Sequence, residues 1–170
     1  MDRSRSGSKN KKPNAVQRLL HRFFMLRPVT AFFAPRVHHF DKAVSRLTGG
    51  KYAISGILGW DIIQITTIGA KTKRRRTMPL VGLFDGGKIA VIASNFGREH
   101  NPGWYYNLKN HPECEVLFNG RSGKYIAREL EGHEYDHYWQ VGLSYYEGYE
   151  KYKERAVVRH IPVMLLEPKK

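Results

Sequence analysis

The sequence predicts a mixed α+β fold in which an antiparallel barrel or sheet carries packed helices. Three observations predict it. From residue 61 onward, short apolar runs of strand length are joined by tight-turn signals, Asp85-Gly86-Gly87 and Asn119-Gly120. The order of elements is two helices, three strands, a helix, two strands, a helix and a strand. The strand-rich middle therefore uses hairpins rather than the βαβ crossovers of a doubly wound fold.

Each element has its own warrant. Residues 1–12 are Ser, Arg, Lys and Gly with little to bury, and read as a disordered basic tail. Residues 13–50 read as an N-terminal helical segment. Asn14 and Gln17 form a capping-box pattern. Val16, Leu19, Leu20, Phe23 and Phe24 then make one amphipathic stripe with Arg18 and Arg22 opposite, and Pro28 ends it. Val37, Phe40, Val44 and Leu47 form a second stripe, closed by Gly49-Gly50. Residues 51–170 read as the barrel domain. Asp61–Ile68, Met78–Phe84 and Lys88–Ser94 are its first strands. Asn101 as N-cap and Pro102 at the first helical position open a short helix. Glu113–Phe118 pairs with Ser122–Glu131. Residues 133–154 read as one tyrosine-rich helix, and Ile161–Leu166 as the last strand, ended by Pro168.

Length and composition suit one domain. The 170 residues are 41% hydrophobic and 12% aromatic, enough to form a core. The net charge of +14 is concentrated. Nine Lys or Arg and one acid in residues 1–40 give +8 of it, and the loop Lys71, Lys73, Arg74, Arg75, Arg76 gives +5, which leaves +1 on the rest. Both basic segments attract anions, whether a phosphorylated ligand, nucleic acid or anionic lipid. One cysteine, Cys114, allows neither an internal disulfide nor a cysteine metal site, and fits a reducing cytoplasm. No transmembrane span is expected, because Arg18, His21, Arg22 and Arg27 interrupt the best apolar stretch, and no signal-peptide layout follows it.

Three clusters carry candidate chemistry. Gly69-Ala70-Lys71-Thr72-Lys73-Arg74-Arg75-Arg76 joins two strands and concentrates mutually repelling cations. Exposed amides, a hydroxyl and guanidinium forks suit a phosphate, while a solvated hairpin tip or a nucleic-acid patch remain open. Ser94-Asn95-Phe96-Gly97 leads to the start of the helix at Asn101, where free amides suit an anion or a ring carbonyl. Trp104 and Leu108, four apart, read equally as core. Tyr146, Tyr149 and Tyr152 repeat every three residues and suit either a flat ligand or ordinary packing. His133 and His137 have zinc-ligand spacing, but only Glu134 or Asp136 could join them, so no metal site is expected.

The motifs "QITTIGAKTKRRRTMPL", "DGGKIAVIASNFG", "NPGWYYNLKNHPECEV" and "YYEGYEKYKERAVVRHIPVMLLEP" give the chain from about residue 60 to 168 a specific resemblance. It resembles the deazaflavin-dependent nitroreductase and quinone reductase family, which uses coenzyme F420. The resemblance implies a split β-barrel like that of flavin-mononucleotide-binding oxidoreductases, to which the Val16–Phe24 periodicity adds an N-terminal amphipathic helix. It implies hydride transfer from reduced F420 to a quinone, nitroaromatic or similar small-molecule acceptor. By this resemblance Ala70, Lys71, Thr72 and Arg76 hold the cofactor's phosphate and acidic tail. Thr77, Met78, Pro79, Leu80 and Val81 line the ring side of the first hairpin strand, and Ile92, Ala93, Ser94 and Asn95 contact the ring. Gly103, Trp104, Tyr105, Tyr106 and Asn107 supply contacts at the helix start. Tyr149 is the candidate proton donor, and Tyr146 and Tyr152 form the acceptor wall. Three positions depart from the family pattern: Lys73 and Phe96 stand where glycine is usual, and Val81 where some nitroreducing members carry an aromatic residue. The alternatives are a split-barrel enzyme using flavin mononucleotide (FMN), and a non-catalytic binder of membrane or nucleic acid. No specific nucleic acid is expected. An anionic membrane surface is a candidate partner for the N-terminal helix, which would place a cytoplasmic enzyme at the inner face of the membrane. The oligomeric state is left open.

Overall fold

The computed structural model describes residues 60–169. The basic tail, both N-terminal helical stripes and Gly49-Gly50 lie outside the described residues. Seven strands form one antiparallel sheet: β1 (Ile62–Ile68), β2 (Arg75–Val81), β3 (Leu83–Asp85), β4 (Lys88–Ile92), β5 (Glu113–Phe118), β6 (Arg121–Glu129) and β7 (Val163–Pro168). Three helices accompany them: α1 (Gly103–Asn110), α2 (Gly132–Tyr145) and α3 (Gly148–Arg155). Among the described residues no helix is long and apolar enough to cross a membrane.

The strand order is β2-β1-β5-β6-β7-β4-β3, so the two strands at opposite ends of the sheet are consecutive in the chain. Only Gly82 separates them. Sequence alone reads Met78–Phe84 as one strand; instead it begins at Arg75 and breaks at Gly82. A Cβ at Gly82 would lie 2.9 Å from Ile63 Cγ2, and its N–H donates to Asp61 O at 2.8 Å. This close approach lets the chain leave β1 on one side and join β4 on the other. The sheet therefore curls into a split barrel.

The hairpins form where the turn chemistry predicts them. Gly86 and Gly87 have φ of 53° and 85° between Asp85 and Lys88, and Asn119 and Gly120 have 48° and 75° between Phe118 and Arg121. Consecutive positive φ values are those of a type I′ turn, whose twist matches paired strands. Alternation then sorts side chains between two cores. Ile89, Val91, Met164 and Leu166 face the barrel interior with Ile63, Ile65 and Val116. Ala90, Ile92, Val163 and Leu165 face the layer under α2 and α3. Strands β4 and β7 are buried on both faces, which explains their unbroken apolar runs.

Two helical expectations are corrected. Residues 133–154 form two helices, because Tyr146 adopts extended backbone (φ −151°, ψ 104°) and its ring folds over Gly148, where a Cβ would overlap it. Helix α1 begins with Pro102 in the cap position and no side-chain cap, so Asn101 is not its N-cap. The last strand also runs later, to Pro168.

Candidate active site

The basic loop is a tight turn at the mouth of β1 and β2. Gly69 N donates to Arg74 O at 2.9 Å and Lys73 N to Gly69 O at 2.8 Å. Gly69 has no room for a side chain, since a Cβ there would lie 2.6 Å from Thr72 Oγ1 and 3.3 Å from Arg74 O. The five cations are not equivalent. Arg75 is paired with Glu115, and Lys73 Nζ lies 2.8 Å from His111 Nε2. Arg76 Nη2 donates to Thr72 Oγ1 at 3.3 Å. Lys71 and Arg74 are exposed and make no ion pair among the described residues. Lys73 has φ 55°, the left-handed region where glycine costs nothing, which accounts for the family's usual residue there.

Asn107 fixes this loop to α1. Its Oδ1 accepts from Ala70 N at 2.9 Å and its Nδ2 donates to Thr67 Oγ1 at 3.0 Å. Asn107 and Thr67 are the buried polar residues of the core. The Asn107 side chain is thus spent on the protein itself. Trp104 also turns inward, with Leu108, into the barrel core, so its indole is a packing group. Tyr105 donates to Glu129 Oε2 at 3.0 Å, and Tyr106 is exposed.

From the loop, β2 runs along the sheet edge. Met78 and Leu80 lean on the barrel core, and Val81 packs against the aromatic cluster at the far end. At about 3.3 Å per residue, Arg76 and Val81 stand about 16 Å apart. An edge strand also tolerates Pro79, which lacks an N–H.

The second loop follows β4. Asn95, Phe96 and Gly97 have φ of 45°, 57° and 74°, three consecutive left-handed residues. Phe96, like Lys73, therefore occupies a conformation that glycine adopts freely. Gly97 is pressed against α3, where a Cβ would lie 2.7 Å from Arg155 Cβ and 2.9 Å from Tyr152 O. Phe96 meets the Tyr152 ring edge-on at 5.9 Å. Ile92 and Ala93 are buried, and Ser94 and Asn95 are partly exposed.

Tyr146, Tyr149 and Tyr152 converge although Tyr146 lies outside the helix. Their hydroxyls are not alike: Tyr146 and Tyr152 share a hydrogen bond of 3.1 Å, while Tyr149 makes none among the described residues. Trp60 stands edge-on to Tyr146 at 5.1 Å. The Tyr149 ring and Ile92 both pack over Gly142. Burial pushes the phenols of Tyr146, Tyr149 and Tyr152 above their ordinary value, so they are neutral donors at neutral pH.

Sequence reasoning missed Arg159. Its guanidinium gathers the carbonyl oxygens of Arg98 (2.7 Å), Ser94 (2.7 Å) and Ala93 (3.3 Å), and Asn101 Oδ1 (2.6 Å). No local pattern marks it, because its partners lie about sixty residues away. Other candidates do not join the site. His137 lies 3.5 Å from Asp85, and among the described residues no three potential ligands cluster for a metal. Burial pushes the Cys114 thiol up to about 12, so it is inert.

The fold is a split β-barrel with a cation-rich turn and a buried aromatic cluster. The comparisons with known proteins narrow this. The family model for F420H(2)-dependent quinone reductase matches residues 37–168. The F420H(2)-dependent quinone reductase Rv1261c of Mycobacterium tuberculosis is 35% identical over 103 residues, covering 59% of this chain and 68% of that protein. A solved F420-H2 dependent reductase (FDR-A) superposes with a TM-score of 0.58 at 36% identity, covering 63% of this chain and 94% of the other. A second solved structure, described as a domain-swapped dimer, gives 0.60 at 32% identity, covering 74% and 95%. The chain belongs to the F420H(2)-dependent quinone reductase family. It is an oxidoreductase, and its cofactor is coenzyme F420.

The residues present fit such a group. Among the described residues Lys71 and Arg74 offer charges with no acidic partner, Gly69 permits the tight turn that presents them, and β2 leads from these cations to an aromatic cluster.

Proposed function

We propose that this protein carries a hydride from reduced F420 to a quinone-type acceptor, with the cofactor's anionic part on the basic loop and its ring toward the tyrosines. The observation that carries this reading is β2 itself, an edge strand joining a cation-rich turn to a buried aromatic cluster. Lys71, Thr72 and Arg76 bind the phosphate and acidic tail through a hydroxyl and two charges, and Ala70, its amide held by Asn107, sets the turn that presents them. Thr77 through Val81 form the floor along which the cofactor lies. Ile92, Ala93, Ser94 and Asn95 bound the ring, and the start of α1 from Gly103 to Asn107 holds the loop in register. The bound cofactor supplies the hydride. The protein orients the partners and excludes water, and Tyr149 donates a proton to the reduced acceptor. Tyr146 and Tyr152, tied to each other, shape the acceptor wall.

Val81, packed on the tyrosine cluster, offers no aromatic clamp to an acceptor, which favours a quinone. Nitroaromatics are secondary acceptors in this reading. The Val16–Phe24 stripe and its arginines favour contact with anionic lipid, where quinones reside. Vesicle sedimentation of the full chain against a truncation lacking residues 1–28 tests that contact.

The function is tested by titrating the pure protein with F420 and, separately, with flavin mononucleotide, then following quinone-dependent oxidation of reduced F420. Tight binding of F420 and turnover are expected. Binding of flavin mononucleotide with no affinity for F420 would overturn the assignment.

A further inference from the structure

The loop after β4 has a conformation that its own bonds do not explain. Asn95 and Phe96 are left-handed, a region that crowds the side chain of Phe96 against the backbone. Its internal ties are few: Gly97 N to Ser94 O at 2.9 Å, Arg98 N to Asn95 O at 3.1 Å, and Asn95 Nδ2 to His100 O at 2.7 Å. Its middle, Phe96 and Gly97, packs on α3, and its two ends are held from beyond α3. The Arg159 fork reaches both ends of the loop at once, the Ala93 and Ser94 carbonyls on one side and Arg98 O and Asn101 Oδ1 on the other. It also meets His160 O at 3.3 Å. Among the described residues every acceptor is neutral and no carboxylate joins the cluster. A lysine could not reproduce this planar, multi-point grip.

The grip also sorts the loop's polarity. With the carbonyls of Ala93, Ser94 and Arg98 drawn onto one cation, the Ser94 amide and hydroxyl keep no acceptor among the described residues. Ala93, Ser94 and Asn95 are also the residues assigned to the ring above. We propose that Arg159 is a positioning residue for the cofactor ring. It holds the acceptors of the Ala93–Asn101 segment inward and thereby leaves donors for an acceptor-bearing ring edge. This rests on the F420 reading.

The test separates ring from tail. Wild type, Arg159→Gln, Arg159→Lys and Arg76→Ala are titrated with F420 and with the deazaflavin riboside that lacks the phosphate tail. Arg159→Gln should weaken both ligands by about tenfold or more, in the same ratio, since several charge-assisted bonds are lost together. Arg76→Ala should weaken F420 alone. In Arg159→Lys the absorbance maximum of bound F420 should shift, which a purely structural staple would not cause. Without ligand, amide exchange across residues 94–100 should accelerate in Arg159→Gln. If Arg159→Gln fails to fold, Asn101→Leu, which removes one arm of the clamp, should still weaken the riboside about threefold or more. Wild-type failure to bind F420 overturns the cofactor assignment and this inference with it. Wild-type binding, with riboside affinity unchanged in the Arg159 or Asn101 variant, overturns this inference alone.

Discussion

Replacing Asn107 by leucine keeps nearly the same volume at the junction of α1 and the basic loop but removes both hydrogen bonds there. The Ala70 amide loses its acceptor at 2.9 Å and the Thr67 hydroxyl loses its donor at 3.0 Å. Thr67 is almost wholly buried, so water cannot replace the lost partner, whereas Ala70 is half-buried and recovers part of the loss. An orphaned buried polar group costs about 1–3 kcal/mol, which sets the sum at about 2–4 kcal/mol. For a chain of this size that lowers Tm by about 5–15 °C. The second effect is functional. Ala70 opens the turn that carries Lys71 and Thr72, so the loop loses its register and F420 affinity should fall at a temperature where the variant is still folded. Asn107→Asp discriminates the two effects, because its carboxylate still accepts from Ala70 while the Thr67 hydroxyl can turn to donate. Melting curves and fluorescence titration with F420 read both quantities. A leucine variant that melts and binds like wild type would refute the argument that Asn107 sets the loop.

Three further outcomes are expected. Arg76→Ala should raise the F420 dissociation constant about tenfold or more, while Arg75→Ala, whose charge is already met by Glu115 in an exposed pair, should change it little; equal losses would show a diffuse patch instead of a site. Lys73→Gly relieves a left-handed residue, and after the added freedom of the unfolded chain should gain up to about 1 kcal/mol; a melting temperature several degrees lower would show that the His111 contact outweighs the strain. Tyr149→Phe should lower turnover about a hundredfold with little change in F420 affinity, and because burial raises the phenol, the wild-type rate should show no titration from it below about pH 10; normal turnover with hydride transfer limiting would remove Tyr149 from the chemical step.

The barrel was largely legible because its signals are local. Two glycine-bearing turns, the alternation in β1 and the unbroken apolar runs of β4 and β7 need only neighbouring residues to be read. The breaks were not legible. "MPLVGLF" reads as one run, and what splits it is the approach of Ile63 and Ile89 to Gly82, which exists only once the sheet has curled. Likewise "SYYEGYEKY" reads as helix, and it is the Tyr146 ring over Gly148 that interrupts it. The basic loop announced itself by charge density, yet which of its cations remain unpaired depends on Glu115 and His111, some forty residues on. Trp104 carried no signal to separate ligand contact from core, and packing decided it.

Both site loops are held by an anchor outside their own sequence. Asn107 bonds to Ala70 from 37 residues away, and Arg159 reaches Ala93 from 66 residues away. Asn107 is buried on α1, and Arg159 lies half-buried in the bend between α3 and β7. Short-range turns alone would leave such loops to be ordered by the ligand, at about 0.5–1.5 kcal/mol for each immobilised side chain. Anchoring them to the rest of the fold moves that cost into folding. In the proposed reading the surface that takes the cofactor therefore exists before the cofactor arrives. Loss of either anchor should then appear mainly as faster F420 release, because encounter with the cationic loop depends on charges that both changes leave in place.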